Sequence, residues 1–347
     1  MQIASPTAPA GETLIDVNNL HVHFKLDEGT VHAVNGTSFR IQEGKTLGIV
    51  GESGCGKSVT ARAIMRIVRP PGKIIDGSIT YYRRQQGDGI AERPKSEAVD
   101  LTKLDERGKE IRGIRGNDIA MIFQEPMTSL SPVHTIGNQL MEAIQLHHRV
   151  DKKEAKDMAI EALAMVGVPR AAERIKNYPH EFSGGMRQRT MIAMALSCQP
   201  GLLIADEPTT ALDVTTEAQI LDLIREFQQR RSMALMLITH NLGVVAEMAD
   251  DVAVMYLGKI VERTDVDTLF YNPQHPYTQS LLDSIPRIGR NVEDLEVITG
   301  SVPNPMNIPR GCPFHTRCRE ALPGLCDVEV PELKEIEPGH EVSCLRR

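Results

Sequence analysis

The chain has 347 residues, 41% of them apolar, and a formal charge of −7. That is enough to bury a large core and to carry one big domain plus an appendage. No run approaches the roughly 20 apolar residues a membrane-crossing helix needs, residues 1–14 have neither a basic start nor an apolar centre, and the acidic balance weighs against nucleic acid as a partner. A soluble cytoplasmic protein is expected.

Residues 13–41 alternate apolar and polar side chains over two strand-length runs, which predicts an antiparallel sheet. An α/β core is expected to begin near Thr46, with strand-like runs starting at Leu47, Ile119, Leu202, Ala234 and Val252. Residues 82–106 are unusually polar, with Arg83-Arg84-Gln85-Gln86-Gly87, and read as a surface loop or hairpin insertion. A helix-rich stretch follows over residues 135–199. It includes 152–166, where Ala155, Ile160, Leu163 and Val166 recur at helical spacing. The pair His147-His148 reads as a solvated helix end.

The first chemical signal is Gly51-Glu52-Ser53-Gly54-Cys55-Gly56-Lys57-Ser58, set between the apolar run Leu47-Gly48-Ile49-Val50 and the helix-forming residues 59–67. Strand, glycine-rich loop and helix in that order make a phosphate cradle: backbone N–H groups converge on phosphate oxygens and the helix N-terminus adds partial positive charge. Lys57 supplies a point charge to the outer phosphates of ATP, and the Ser58 hydroxyl is placed to ligate Mg2+. Cys55 is a small loop residue whose side chain could be alkylated, and Cys198 is expected to be buried. The second signal is the strand Leu202-Leu203-Ile204-Ala205 ending in Asp206-Glu207. Asp206 then lies at the carboxyl edge of the sheet, where open parallel sheets hold ligands, as a second Mg2+ contact. Glu207 can act as general base toward, or orient, a water aimed at the terminal phosphate.

With these two motifs in order, the chain resembles the ATP-binding cassette family. Phe182-Ser183-Gly184-Gly185-Met186-Arg187-Gln188-Arg189 looks like its signature, with Phe182 in place of the more frequent leucine and Met186 in place of glutamine. Ser183 is a natural helix N-cap. The resemblance implies that Ser183, Gly184 and Gly185 face the terminal phosphate of a nucleotide held by a second cassette. It further implies roles for Gln124 as a sensor of the metal-bound nucleotide and for Asp213 in communication across the cassette dimer. His240 becomes the switch residue near the terminal phosphate, and Phe24 an aromatic stacked on adenine.

The resemblance narrows toward cassettes of oligopeptide and dipeptide importers through Asn272-Pro273-Gln274-His275-Pro276-Tyr277-Thr278-Gln279, residues 281–286, and Ile122-Phe123-Gln124-Glu125-Pro126-Met127-Thr128-Ser129-Leu130, where Glu125 replaces the usual aspartate. The implied fold is an ABC-type P-loop NTPase of α/β class, with an antiparallel β subdomain, a RecA-like core and a helical subdomain. A nucleotide-binding domain is expected over 12–265, with the helical part at about 130–200, and a C-terminal extension over 266–347. The implied partners are a second cassette, paralogous or identical, two transmembrane permease subunits and an extracytoplasmic solute-binding protein. The implied location is the cytoplasmic face of the inner membrane. The same engine serves oligosaccharide, opine-like or nickel importers. A soluble cassette acting on nucleic acid or ribosomes is a rival reading.

Four of the six cysteines, Cys312, Cys318, Cys326 and Cys344, fall in a tail with seven prolines between Pro303 and Pro338. Its scant apolar pattern equips it poorly to form a core of its own. A cytoplasmic chain does not rely on disulfides, so the four thiols suit an iron-sulfur cluster, structural zinc or no metal. Their spacing lacks paired C-x2-C units and resembles peptide-importer cassettes that bind [4Fe-4S].

Overall fold

The computed structural model describes residues 13–84, 96–124, 129–210, 212–285 and 298–347. In chain order its strands are β1 (Thr13–Leu26), β2 (Gly29–Gln42), β3 (Thr46–Val50), β4 (Gly72–Arg84), β5 (Ser96–Asp100), β6 (Ile119–Ile122), β7 (Leu202–Asp206), β8 (Ala234–Ile238), β9 (Asp251–Tyr256), β10 (Lys259–Asp265), β11 (Lys334–Glu337) and β12 (His340–Val342). The helices are α1 (Lys57–Ile64), α2 (Lys109–Ile114), α3 (Ile136–His147), α4 (Lys152–Met165), α5 (Ala171–Arg174), α6 (Gly184–Leu196), α7 (Val214–Arg231), α8 (Leu242–Met248), α9 (Val266–Tyr271) and α10 (Pro276–Asp283). They divide between two compact units. The first runs to Gln42 and takes in Thr46–Lys103 and Ile238–Arg347; the second comprises Glu43–Lys45 and Leu104–Leu237.

The first unit holds an antiparallel sheet of order β2-β1-β4-β5. In β1 the period-two pattern puts Ile15, Val17, Leu20 and Val22 fully inside. The step from Val17 to Leu20 needs an irregularity, supplied where Asn19 adopts φ 47 and the register shifts. The polar 82–106 stretch is a hairpin at its base, with Arg83 opposite Glu97; residues 85–95 lie outside the described residues. The same unit contains strands in the order β11-β12-β10-β9-β3, with β3 parallel to β9 and the others antiparallel. Strand β3 is buried along its whole length, as a strand covered on both faces must be.

The C-terminal residues are built into this unit rather than set apart from it, so compactness does not divide the chain at the 265/266 boundary read from sequence. The prediction that the tail lacks a core of its own is met by sharing one. Phe314, Tyr277 and Leu282 pack in one cluster with Val252, Val254, Tyr256 and Val261, and Cys312 and Cys318 lie against it. Strands β11 and β12 extend the edge of β10. A buried hydrogen bond ties this ribbon down: His340 Nε2 lies 2.8 Å from Glu262 Oε1, both side chains being almost fully buried. Glu262 also accepts from the backbone N–H groups of Gln274 and His275, at 2.6 and 2.9 Å.

The second unit places its strands in the order β8-β7-β6, β6 and β7 running parallel. Its helices bear out the helical reading of 135–199. Helix α3 is capped by Thr135 and α4 by Asp151, whose carboxylate accepts from the N–H groups of Lys153 and Glu154. The pair His147-His148 is half-buried rather than solvated, with His147 against Gly116 and its pKa lowered by burial. Among the described residues no helix is long and apolar enough to cross a membrane.

Candidate nucleotide site

The phosphate loop leaves β3 and enters α1 within the first unit. Two of its glycines are required by close approach. A Cβ on Gly51 (φ 147) would sit 2.1 Å from the Met255 carbonyl oxygen, and one on Gly56 (φ 106) would sit 2.2 Å from that of Ala33. Lys57 is buried and donates from Nζ to the carbonyl oxygens of Gly51 and Glu52, at 2.7 and 3.0 Å. Its charge is thereby held over the loop. Cys55 is also buried, 2% exposed, which corrects the reading of its thiol as open to alkylation; burial raises its pKa. Gly54 faces open space. Ser53 is exposed, and Ser58, in the first turn of α1, is half-buried.

Two further contacts on the loop had no counterpart in the sequence reading. The Glu52 N–H donates to the Tyr277 hydroxyl at 2.8 Å, and the Glu52 carboxylate receives Arg317 Nη1 and Nη2 at 2.7 and 3.0 Å. Tyr277 was visible only as part of a family-like string, and Arg317 was not singled out at all. Neither spacing points to a loop more than 200 residues away.

Elsewhere in this unit Phe24 is half-buried on β1, and its ring fills the space beside Gly72, where an added Cβ would meet it at 2.4 Å. His240 is exposed just beyond β8. The preceding Thr239 donates its N–H to the Ile49 carbonyl at 3.4 Å, beside the strand that feeds the loop.

In the second unit Asp206 ends β7 fully buried, and the chain turns at Glu207 through a left-handed backbone, φ 49. Such a conformation costs a non-glycine residue of order 1 kcal/mol or more and clusters at functional sites. It aims the carboxylate at two partners: Glu207 Oε2 accepts from Gln124 Nε2 at 3.0 Å and from Thr210 Oγ1 at 2.9 Å. The structure thus brings together Gln124 and Glu207, 83 residues apart in sequence. Sequence reading missed Thr210, and also Gln188, whose amide donates to the Pro208 carbonyl within this turn. Residues 125–128, including Glu125, and Ala211 lie outside the described residues, as do residues 286–297 after the family-like segment from Leu281.

Ser183 caps α6, accepting from the Met186 N–H at 3.4 Å, and Asp213 caps α7, accepting from the Thr216 N–H and hydroxyl at 3.0 and 2.8 Å. The Thr216 bonds hold the Asp213 carboxyl below its ordinary pKa. The two caps are neighbours, since a Cβ on Gly185 would lie 3.1 Å from Thr216 Cγ2. Gly184 has open space before it. The helix start is exposed at Ser183 and Gly184 and has no acidic residue in its first turn, a favourable end for an anion.

Cys312, Cys318, Cys326 and Cys344 all line one small pocket together with His275 and Phe314. Burial first, and the neighbouring cysteines in their charged forms after it, push the Cys312 thiol up to about 11. Four thiols so placed ionise together only against a cation, which is the donor chemistry of a thiolate-bound metal. As their side chains stand, no group of three or more His, Cys, Asp or Glu among the described residues is arranged to hold a metal ion.

An ATP-binding cassette is the class of protein that this fold and these residues define. The family model for ABC transporters matches residues 34–210, and that for the oligopeptide/dipeptide transporter C-terminal region matches residues 261–326. The dimeric post-hydrolysis ATP-binding cassette MJ0796, bound to ADP and Pi, superposes with a TM-score of 0.61 at 24% identity, covering 73% of this chain and 99% of that one. The dipeptide transport ATP-binding protein DppD of Bacillus subtilis (strain 168) is 48% identical over 334 residues, 96% of this chain and 94% of that protein. The oligopeptide transport ATP-binding protein AppD of the same organism is 50% identical over 333 residues, 96% of each. OppD of Haemophilus influenzae is 46% identical over 331 residues, 95% of this chain and 96% of that protein. The chain belongs to the ATP-binding proteins of ABC transporters, in their oligopeptide/dipeptide group.

Proposed function

We propose that this chain hydrolyses ATP between paired cassettes to drive an importer of dipeptides or oligopeptides. The observation that carries hydrolysis is the Glu207 carboxylate, turned out by its left-handed backbone and held by Gln124 and Thr210. In this reading Lys57 and the loop N–H groups take the β- and γ-phosphates. Ser58, Gln124 and Asp206 supply oxygen donors to Mg2+, which neutralises charge developing on the phosphates. Phe24 stacks on the base. Glu207 orients the attacking water and accepts its proton, and His240 steadies that water against the terminal phosphate.

The capped start of α6, Ser183 to Gly185, serves the nucleotide of a second cassette, paralogous or identical, with Asp213 beside it. ATP then joins the two cassettes and its hydrolysis releases them. The chain would sit at the cytoplasmic face of the inner membrane, where two transmembrane permease subunits would convert that cycle into transport, fed by an extracytoplasmic solute-binding protein. The peptide cargo rests on the C-terminal region and on the full-length relatives named for peptide transport.

Glu207→Gln tests the chemistry: ATP binding is retained and turnover falls by roughly 10^2- to 10^4-fold, read as phosphate release by the assembled importer. Near-normal release rejects the assignment. The four tail cysteines are assigned to a [4Fe-4S] cluster, supported by their shared pocket. Anaerobically purified protein is then expected to carry about four irons per chain with visible absorbance; colourless, iron-free protein rejects it.

A further inference from the structure

Glu52 is an awkward residue for a phosphate loop, since its carboxylate repels the triphosphate the loop exists to hold. The structure answers this with Arg317, whose side chain is only 4% exposed and donates through all three of its nitrogens. Nη1 and Nη2 clasp the Glu52 carboxylate, Nε donates to the Thr299 carbonyl at 3.1 Å, and Nη1 also reaches the Tyr256 hydroxyl at 3.5 Å. The guanidinium lies 5.9 Å over the Tyr256 ring. Tyr256 packs in turn on Tyr277 and Phe314, with ring centroids 4.7 and 5.2 Å away. Tyr277 completes the grip by taking the Glu52 N–H. The same residue's carbonyl is one of the two that hold Lys57. Both grips come from the C-terminal region, and Arg317 is flanked there by Phe314 in the core and by Cys318.

We propose that Arg317 and Tyr277 are positioning residues of the nucleotide site. Arg317 neutralises Glu52 and turns it aside, Tyr277 fixes the backbone at the same residue, and ATP affinity therefore depends on how the C-terminal region is seated. The proposal rests on the phosphate loop binding ATP, and wild-type protein that bound no ATP would defeat that reading rather than this one.

The test is equilibrium binding of labelled ATP with Mg2+ to the full chain. Arg317→Met leaves Glu52 ionised and unpaired, and is expected to weaken ATP binding by tenfold or more, the scale of a lost charge-assisted pair, about 1.5–3 kcal/mol. Glu52→Gln added to Arg317→Met is expected to recover affinity to within about threefold of wild type. A purely structural role for Arg317 would leave the double variant as weak as the single one. Arg317→Lys, which keeps the charge and loses the bidentate grip, is expected to fall between, and it carries the test if the methionine variant does not fold. Tyr277→Phe is expected to weaken binding a few-fold. Unchanged affinity in a folded Arg317→Met or Arg317→Lys protein, or no recovery on adding Glu52→Gln, overturns the proposal.

Discussion

The phosphate loop and the capped start of α6 are both shaped for anions, yet they are held in opposite ways. The loop is fixed by contacts from far along the chain: Met255 and Ala33 crowd its glycines, and Tyr277 and Arg317 grip Glu52 across 225 and 265 residues. The start of α6 is fixed by its own side chain, Ser183 bonding three residues ahead, with Asp213 doing the same for α7. A site that must exist before its ligand arrives is built into the core. The start of α6, which we propose meets a second cassette, is finished locally and left open.

This contrast can be broken at its strongest point first. Gly51→Ala places a Cβ against the Met255 carbonyl on a backbone that resists side chains, so loss of ATP binding and destabilisation of several kcal/mol are expected, read by titration and by thermal melting. A variant that melts and binds like wild type would show the loop to be more pliant than its packing implies.

The next test concerns the seat of the C-terminal region. The His275 ring is buried, accepts the Tyr277 N–H at Nδ1 and caps α10; burial first, and the Arg347 charge second, lower its pKa to about 3. The folded value lies below the unfolded one of about 6.5. Between the two, the unfolded chain binds a proton that the folded chain refuses, so stability falls as pH falls. The loss is expected to reach about 2.5–3 kcal/mol near pH 4.5. His275→Asn keeps an acceptor and cannot be protonated there, so its stability should show a shallower acid slope in chemical denaturation. Equal slopes would assign the acid sensitivity to other groups.

The smallest effect belongs to the locally built surface. Ser183→Ala removes one long cap bond and should cost about 0.5–1 kcal/mol, while Ser183→Gly should cost only a few tenths. Calorimetry on the two variants distinguishes a simple cap from a residue with deeper structural ties.

The same division explains what could be read from the sequence. Strands β3, β7 and β8 announce themselves as unbroken apolar runs because they are buried on both faces, and the Ser183 cap is written within a few residues of the helix it starts. The contacts of Glu207 were not legible: nothing in Asp206-Glu207-Pro208 specifies a left-handed turn or its approach to Gln124. Nor were the edge strands β11 and β12, whose exposed, charged residues in β11 give no apolar alternation and whose place is set by β10. Arg317 is the extreme case, a residue whose charge partner lies 265 positions earlier.

The pairing of His340 with Glu262 also bears on how the protein is handled at the bench. Trimming the chain ahead of residue 340 would strip one hydrogen-bond partner from a fully enclosed Glu262 side chain, a loss of about 1–3 kcal/mol.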